Sequence, residues 1–405
     1  MKKKLNDATN HSRRNFLRNT ALAATGIYIV PRHVLGKGFI APSDKLNIAG
    51  VGIGGKGESD LWNFYQSGKA NIVGLCDVDD RMAKTSRARY PKAAYYKDYR
   101  EMLDKMHNSI DAVSVSTPDH MHAVIAMAAM QLHKHVYVQK PMTHDIYEAR
   151  TMTKAAHQYK VVTQMGNQGA SGDGVRQLWY NAGIIGEVDT VYCFTDRPVW
   201  PQGMGWPAPD PNIPAGLDWK LWQGNAPLKE YVDGLLPFNW RGWWDYGTGA
   251  LGDMGCRVLG LGYPTAAECS VATQYIKPWT RSFHPESGPI ASHITLTFNV
   301  HGRNVKLHWM DGGIQPDRPE ELGPNDLFGD GGNAILFVGN KGKMMASTYA
   351  ENPKLLPLSR NQEVHVPQTI ARVPGSANGH YAAWVEACIA GYGSKEQKEL
   401  SSNFD

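Results

Sequence analysis

The residues whose types and spacing suit chemistry begin with Gly52, Gly54 and Gly57, a G-x-G-x-x-G series followed about twenty residues later by Asp77. Glycines in that register let backbone approach a pyrophosphate closely: Gly52 makes the turn, Gly54 permits the approach and Gly57 lets the next helix pack on the preceding strand. The amino end of that helix offers unpaired N–H groups and a positive dipole to phosphate. Asp77 is placed to accept hydrogen bonds from adenosine ribose hydroxyls and to repel a 2′-phosphate, which points to NAD rather than NADP. Arg81, one helical turn on, is the residue that would meet such a phosphate.

Two later strand ends also carry polar groups. In Ser116-Thr117-Pro118-Asp119-His120-Met121-His122, Pro118 breaks the strand and Asp119 can cap the next helix. That loop is expected to run along the cofactor, with Pro118 against it and His122 aimed at its ribose or at the substrate. In Gln139-Lys140-Pro141 a lysine ends a buried apolar run, where it needs a partner or a task. A cationic nicotinamide nearby favours its neutral form, and such a lysine orients a hydroxyl and stabilises a developing alkoxide. Asn167-Gln168 is placed to bond sugar hydroxyls, or only to turn the chain between domains. Within Trp240-Arg241-Gly242-Trp243-Trp244, Trp243 is a candidate for stacking on a sugar face, with ordinary burial of aromatic area as the alternative. His380-Tyr381 opens a final helical pattern, Tyr381 to Ile389, for which helix packing is the expected role.

The elements that must position these residues follow from the pattern of apolar runs. Leu46 to Val51 leads into the glycine turn and a helix from Glu58 to Gln66, then Ile72 to Cys76 ends at Asp77. Further strands are expected at Ala112 to Ser116, Val136 to Gln139 and Val161 to Met165, with helix-length segments such as His120 to Leu132 between them. This is the alternation of an α/β doubly wound parallel sheet with right-handed crossovers. Beyond it, runs at Val188 to Arg197, Ser270 to Ile276, His293 to Val300, Asn304 to Met310, Ala334 to Val338 and Lys343 to Ser347 alternate with period two. Short turns such as His301-Gly302 join several of them, which predicts antiparallel hairpins. The long Pro-, Gly- and Trp-rich stretch Pro198 to Gly249 is expected to be a lid or a pocket wall. The resulting division is residues 1–40 as leader and linker, 41–165 as an NAD-binding Rossmann domain and 166–405 as a second α/β domain.

A net charge of +4, much of it contributed by the first eighteen residues, gives no argument for a nucleic-acid face. In those residues Ser12-Arg13-Arg14-Asn15-Phe16-Leu17 precedes an uncharged apolar segment, Ala21 to Val30, too short to span a bilayer. The arginine pair resembles a twin-arginine export signal, which predicts a periplasmic, already folded product. No later stretch is apolar enough for a membrane span. The five cysteines, Cys76, Cys193, Cys256, Cys269 and Cys388, lack metal-binding spacing and are expected to be buried thiols with no structural zinc.

Taken in order, Gly52 to Gly57, Asp77, Thr117-Pro118 with His122, Lys140-Pro141 and the block Gly249 to Cys256 resemble the Gfo/Idh/MocA family of sugar and cyclitol dehydrogenases. The resemblance covers most of residues 46–260. It implies an amino-terminal Rossmann domain and a carboxyl-terminal α/β domain with a large, mostly antiparallel sheet that supports a substrate pocket and often oligomerisation. It makes Lys140 the lysine of an E-K-P motif, with Gln139 in place of the usual Glu, and adds Thr117 to the cofactor contacts. It also implies that Asp253, with a His four residues later, passes the substrate proton. Here position 257 is Arg, which cannot act as a base and would instead pair with Asp253 or clamp an anionic or polyhydroxylated substrate. The proton acceptor is then Asp253, Lys140, His122 or His144. The implied reaction is hydride transfer between nicotinamide and a carbinol of a sugar, inositol or glycoside. Redox-assisted glycoside cleavage with a tightly held NAD, and a non-catalytic sugar-binding protein that retains the nucleotide, are the alternatives. The chain stops at Asn403-Phe404-Asp405, and the resemblance leads us to expect that more would normally follow.

Overall fold

The computed structural model describes residues 44–172, 183–258, 276–281, 284–300, 302–364 and 373–404. Residues 46–405 form one unit, separate from 1–45. The expected leader, residues 1–40, lies outside the described residues, as do Cys269 and His301.

Six strands, β1 Leu46–Val51, β2 Ala70–Cys76, β3 Ala94–Tyr96, β4 Ala112–Val115, β5 His135–Val138 and β6 Thr163–Met165, form the first sheet in the order β3-β2-β1-β4-β5-β6. All five pairings are parallel. Strands such as Ala112–Val115, buried at every residue, read as apolar runs because helices cover both faces. The helices are α1 Lys56–Gln66, α2 Asp80–Arg89, α3 Tyr99–Met106, α4 His122–Gln131 and α5 Ile146–Tyr159. Three of them are started by an aspartate whose carboxylate accepts a backbone N–H in the first turn: Asp79 for α2, Asp98 for α3 and Asp145 for α5. The strand order reverses between β1 and β4, and that crevice is where such sheets bind ligands.

The second sheet is mixed and mostly antiparallel. Its order is β13-β12-β11-β7-β10-β9-β8, with β7 Val188–Phe194, β8 Ile276–Arg281, β9 Ala291–Val300, β10 Arg303–Met310, β11 Ala334–Gly339, β12 Gly342–Ala346 and β13 Lys354–Leu356. Only β7 and β10 run parallel among the described pairs. Of the expected strand Ser270 to Ile276, residues 270–275 lie outside the described part. The strands β3 and β13 are three residues each, too short to show alternation, and were not expected from the sequence.

Further helices among the described residues are α6 Trp219–Gln223 in the long connection, α7 Gly249–Val258 after it, α8 Ser376–Ala390 and α9 Lys395–Lys398. The α8 side chains Tyr381, Trp384 and Val385 pack with Ile48, Phe64 and Tyr137 in the core of the first sheet. Phe404 joins that sheet's other core, and the Met165 N–H donates to Ser402 O at 2.7 Å. Residues 376–404 thus return to the amino-terminal sheet, whose core takes in Tyr381, Trp384, Val385, Ala387 and Cys388 of α8, so the expected division at residue 166 does not separate them from it. His380 is fully buried, bonded to Ser171 and Met165, as helix packing requires.

The connection Pro198 to Gly249 builds a core of its own from Leu217, Trp219, Trp222, Tyr231, Trp240, Trp243 and Tyr246. Trp219 stacks on Trp222 at 4.9 Å and Trp222 meets Tyr246 at 4.9 Å. Aromatic side chains bury large areas with few rotamers to fix, so a chain with little regular structure holds a defined shape. It is a wall and not a loose flap.

Candidate cofactor and active site

The glycine turn is shaped by steric exclusion. Gly52 has φ +74°, and a Cβ there would lie 2.7 Å from Ser116 O, so only glycine is admitted. A Cβ at Gly57 would lie 1.7 Å from Gly52 O, the contact that seats α1 on the strand. At Gly54 the space is filled by Met82, whose Cβ would be 2.6 Å away. Gly55 stands at the N-cap of α1 with no side-chain cap hydrogen bond, and Gly54, Gly55 and Lys56 at that helix end line a cleft.

That cleft measures about 1060 Å³ and runs from Gly52, Gly54 and Asp77 past Thr117 and Pro118 to Lys140 and Arg241. Asp77 Oδ2 accepts from Ile53 N at 2.9 Å and Oδ1 from Asp79 N at 3.0 Å. Burial pushes its pKa up to about 6 against these lowering bonds. Thr117 Oγ1 is buried on the cleft wall without a partner among the described residues, a donor and acceptor left over for a ligand. Glycine turn, uncapped helix end, carboxylate and orphan hydroxyl fit a dinucleotide laid across the sheet edge.

At the other end Lys140 Nζ donates to Asp253 Oδ1 at 2.5 Å and to Asp253 O at 3.0 Å. Lys140 arrives from the end of β5, and Asp253 from α7, which is anchored to the second sheet through buried Met254. The two side chains are 9% and 11% exposed, so the pair is largely desolvated. Lys140 faces the cleft, whereas Asp253 lies behind it and meets the cleft through the lysine. Arg241 Nε reaches the same Asp253 oxygen at 3.3 Å. Its guanidinium lies 4.3 Å from the Trp240 ring and 4.5 Å from Phe238, and Nη1 donates to Phe238 O at 2.9 Å. Arg241 is a site residue that sequence reasoning missed. The signal was its place among aromatics in a wall-forming connection.

Several expected contacts are placed elsewhere. His122 is 1% exposed, and its ring bridges Pro141 O at 2.7 Å and Thr117 O at 2.8 Å, so it ties two strand-end loops together and is not among the residues lining the cleft. Burial lowers its pKa. Asn167 is 4% exposed and its Nδ2 donates to Cys256 O at 2.9 Å, which holds α7, while its Oδ1 has no hydrogen-bond partner among the described residues. Trp243 is 2% exposed inside the aromatic core, edge-on to Trp206, with no face to offer a ring. Asp119 does not cap a helix; it is buried and accepts from Thr248 Oγ1 at 2.7 Å. His144 Nε2 faces Gly247 O at 3.2 Å, away from the cleft. The Arg257 side chain lies outside the described residues, at the end of α7. Cys76, Cys193 and Cys388 are buried thiols, and Cys256 is half-buried against the Gly252 and Asp253 carbonyls.

Beneath the turn sits a second unforeseen group, Asp60, which has no exposed surface. Its Oδ2 accepts from Ser116 Oγ and Gln139 Nε2, each at 2.8 Å, and its Oδ1 from Tyr381 OH and Lys56 Nζ, each at 2.8 Å. Gln139 Oε1 in turn accepts from Lys140 N at 3.3 Å. The departure from Glu at position 139 has its reason here: an amide donates to Asp60 where a carboxylate would oppose it.

Residues 46–167 match the family model described as oxidoreductase family, NAD-binding Rossmann fold, and residues 189–261 match the model of the same family's C-terminal alpha/beta domain. Among curated proteins, a glycosyl hydrolase family 109 protein of Shewanella baltica (strain OS185) is 30% identical over 167 residues, 34% of this chain and 35% of that protein. An alpha-N-acetylgalactosaminidase of Shewanella oneidensis is 30% identical over 143 residues, 32% of this chain and 31% of that protein. The match thus spans about a third of each relative. Among solved structures, the WlbA dehydrogenase of Bordetella pertussis in complex with NADH and UDP-GlcNAcA superposes with a TM-score of 0.58 at 17% identity, covering 89% of this chain and 91% of that one. Levoglucosan dehydrogenase with NADH gives 0.53 at 17% identity, covering 83% and 82%. These neighbours share the fold.

Proposed function

We propose that this chain, whose residues 46–167 and 189–261 match the two models of the Gfo/Idh/MocA oxidoreductase family, transfers a hydride between NAD and a carbinol carbon of a sugar, cyclitol or glycoside. The observation that carries the reading is the Lys140–Asp253 pair, 2.5 Å apart, at the far end of the cleft that begins at the glycine turn. NAD, when bound, supplies the hydride acceptor. The protein's residues do the rest. Lys140 meets the substrate hydroxyl; as its own proton passes to the Asp253 carboxylate it takes the hydroxyl proton, so the net acceptor is Asp253 and the ammonium stays beside the developing alkoxide. Arg241 balances the charge on Asp253 from the other side, and Trp240 with Phe238 lines that wall.

A specific observation favours a second reading, redox-assisted glycoside cleavage, in which the hydride returns within one cycle. The long connection runs beside the residues that follow Asp77. Asp80 N donates to Gly216 O at 3.0 Å, Lys97 Nζ to Gly216 O at 2.6 Å, and Asp218 N to Val78 O at 2.9 Å. A nucleotide whose adenosine end lies under this strap leaves slowly, which suits a resident cofactor. The names of the Shewanella relatives point the same way.

The test is to incubate the purified protein with a panel of glycosides and free sugars and follow NADH and sugar products together. Stoichiometric NADH in solution supports the dehydrogenase; released aglycone with no net NADH supports cleavage. Neither change, with NAD bound, sinks both. Export by the twin-arginine route and homo-oligomerisation belong to the same proposal. The first rests on Arg13-Arg14 before Phe16-Leu17 and the second on family resemblance; signal cleavage in periplasmic fractions and light scattering test them.

A further inference from the structure

We infer that Asp79, and not Asp77 alone, makes this protein prefer NAD to NADP, by holding Arg81 away from the position of a 2′-phosphate. The fold leaves the choice open, since one structural neighbour, the biliverdin reductase of Synechocystis, is described in complex with NADP+. An arginine just after the strand-end acid is the group that accepts such a phosphate in this fold. Here its guanidinium is committed. Arg81 Nε lies 2.9 Å from Asp79 Oδ1 and 3.2 Å from Oδ2, and Nη2 lies 2.6 Å from Oδ2, a two-pronged pair between a half-exposed arginine and a buried carboxylate.

The holder is itself held. Asp79 is 5% exposed, its carboxylate also accepts the Arg81 N–H at 3.0 Å to start α2, and its backbone pairs with Leu217 of the long connection. Asp77 and Asp79 both line the cleft, whereas Arg81 does not. A 2′-phosphate would therefore meet two carboxylates and find Arg81 spent on one of them, while Arg100, the guanidinium that does line this end of the cleft, is paired with Asp98.

The inference assumes NAD binding but no particular reaction, and its test reads binding alone. The full chain loaded with NADH is titrated with NAD or NADP, and displacement is followed by NADH fluorescence. Asp79→Asn keeps an N-cap and frees Arg81; it is expected to improve NADP relative to NAD about tenfold, and Asp79→Asn with Arg81→Gln is expected to cancel that gain. In the wild-type background Arg81→Gln keeps a donor for Asp79 and is expected to leave the NADP to NAD ratio within about twofold. An unchanged ratio in folded Asp79→Asn, or a loss of NADP binding of fivefold or more in Arg81→Gln alone, would overturn the inference. No binding of either nucleotide would instead overturn the reading of the cleft.

Discussion

At the scale of the residue, the account turns on two carboxylates in opposite situations. Asp253 is charge-balanced by Lys140 and Arg241, while Asp77 has only backbone N–H partners and is raised from 3.8 to about 6. Lys140→Ala is expected to lower turnover by about 10² to 10⁴ while NADH affinity changes by less than about threefold, since positioned proton transfer is lost and the phosphate site is untouched. A comparable loss of affinity would place Lys140 in cofactor binding alone. For Asp77, the folded protein holds the proton more tightly than the unfolded chain between pH 4 and 6. Its contribution to stability therefore falls as pH rises through that window. NAD binding has the opposite dependence, because the ionised carboxylate is the acceptor for ribose hydroxyls. Affinity is expected to drop as pH falls below about 6 in the wild type and to stay flat in Asp77→Asn, measured by nucleotide titration across pH.

At the scale of the element, the glycine turn, the strand-end acid and the lysine were legible because each needs a residue type that few alternatives satisfy. Gly52 and Gly57 leave no room for a Cβ, and Lys140 closes a strand buried at Val136, Tyr137 and Val138. What was not legible depends on long-range packing. Nothing local distinguishes Asp60 in α1 from a solvated helix residue; only the arrival of Tyr381 from α8 and Gln139 from β5 makes it a buried hub. The same holds for His122, Trp243 and the Asn167 Nδ2 group, whose polar or aromatic character suited a ligand until tertiary partners claimed them. The short strands β3 and β13 were invisible because pairing, not propensity, makes them strands. Gln139→Glu tests the hub. Two carboxylates would then share one site, so we expect a loss of about 2–4 kcal/mol at pH 8 that shrinks toward pH 5 as one of them is protonated, read by urea unfolding. Equal loss at both pH values would mean that shape and not charge selects the amide.

At the scale of the molecule, the arrangement joins a parallel sheet that offers a nucleotide site to a mixed sheet that delivers Asp253, with an aromatic wall closing the space between. The contacts that bind the parts near the site include Lys140 to Asp253, Asn167 to the Cys256 carbonyl and Asp119 to Thr248. Removing the Asn167 tether, by Asn167→Ala, is expected to reduce turnover by raising the mobility of α7 while leaving NADH affinity unchanged. Steady-state kinetics beside nucleotide titration separates the two effects. The central claim is that the reactive ring of the nucleotide is turned toward Lys140. A crystal structure of the protein with NADH tests it most directly. The account predicts nicotinamide C4 within about 5 Å of Lys140 Nζ, the reach that proton and hydride transfer to one carbinol require. A ring more than about 10 Å from that amine, or turned into solvent, would contradict it.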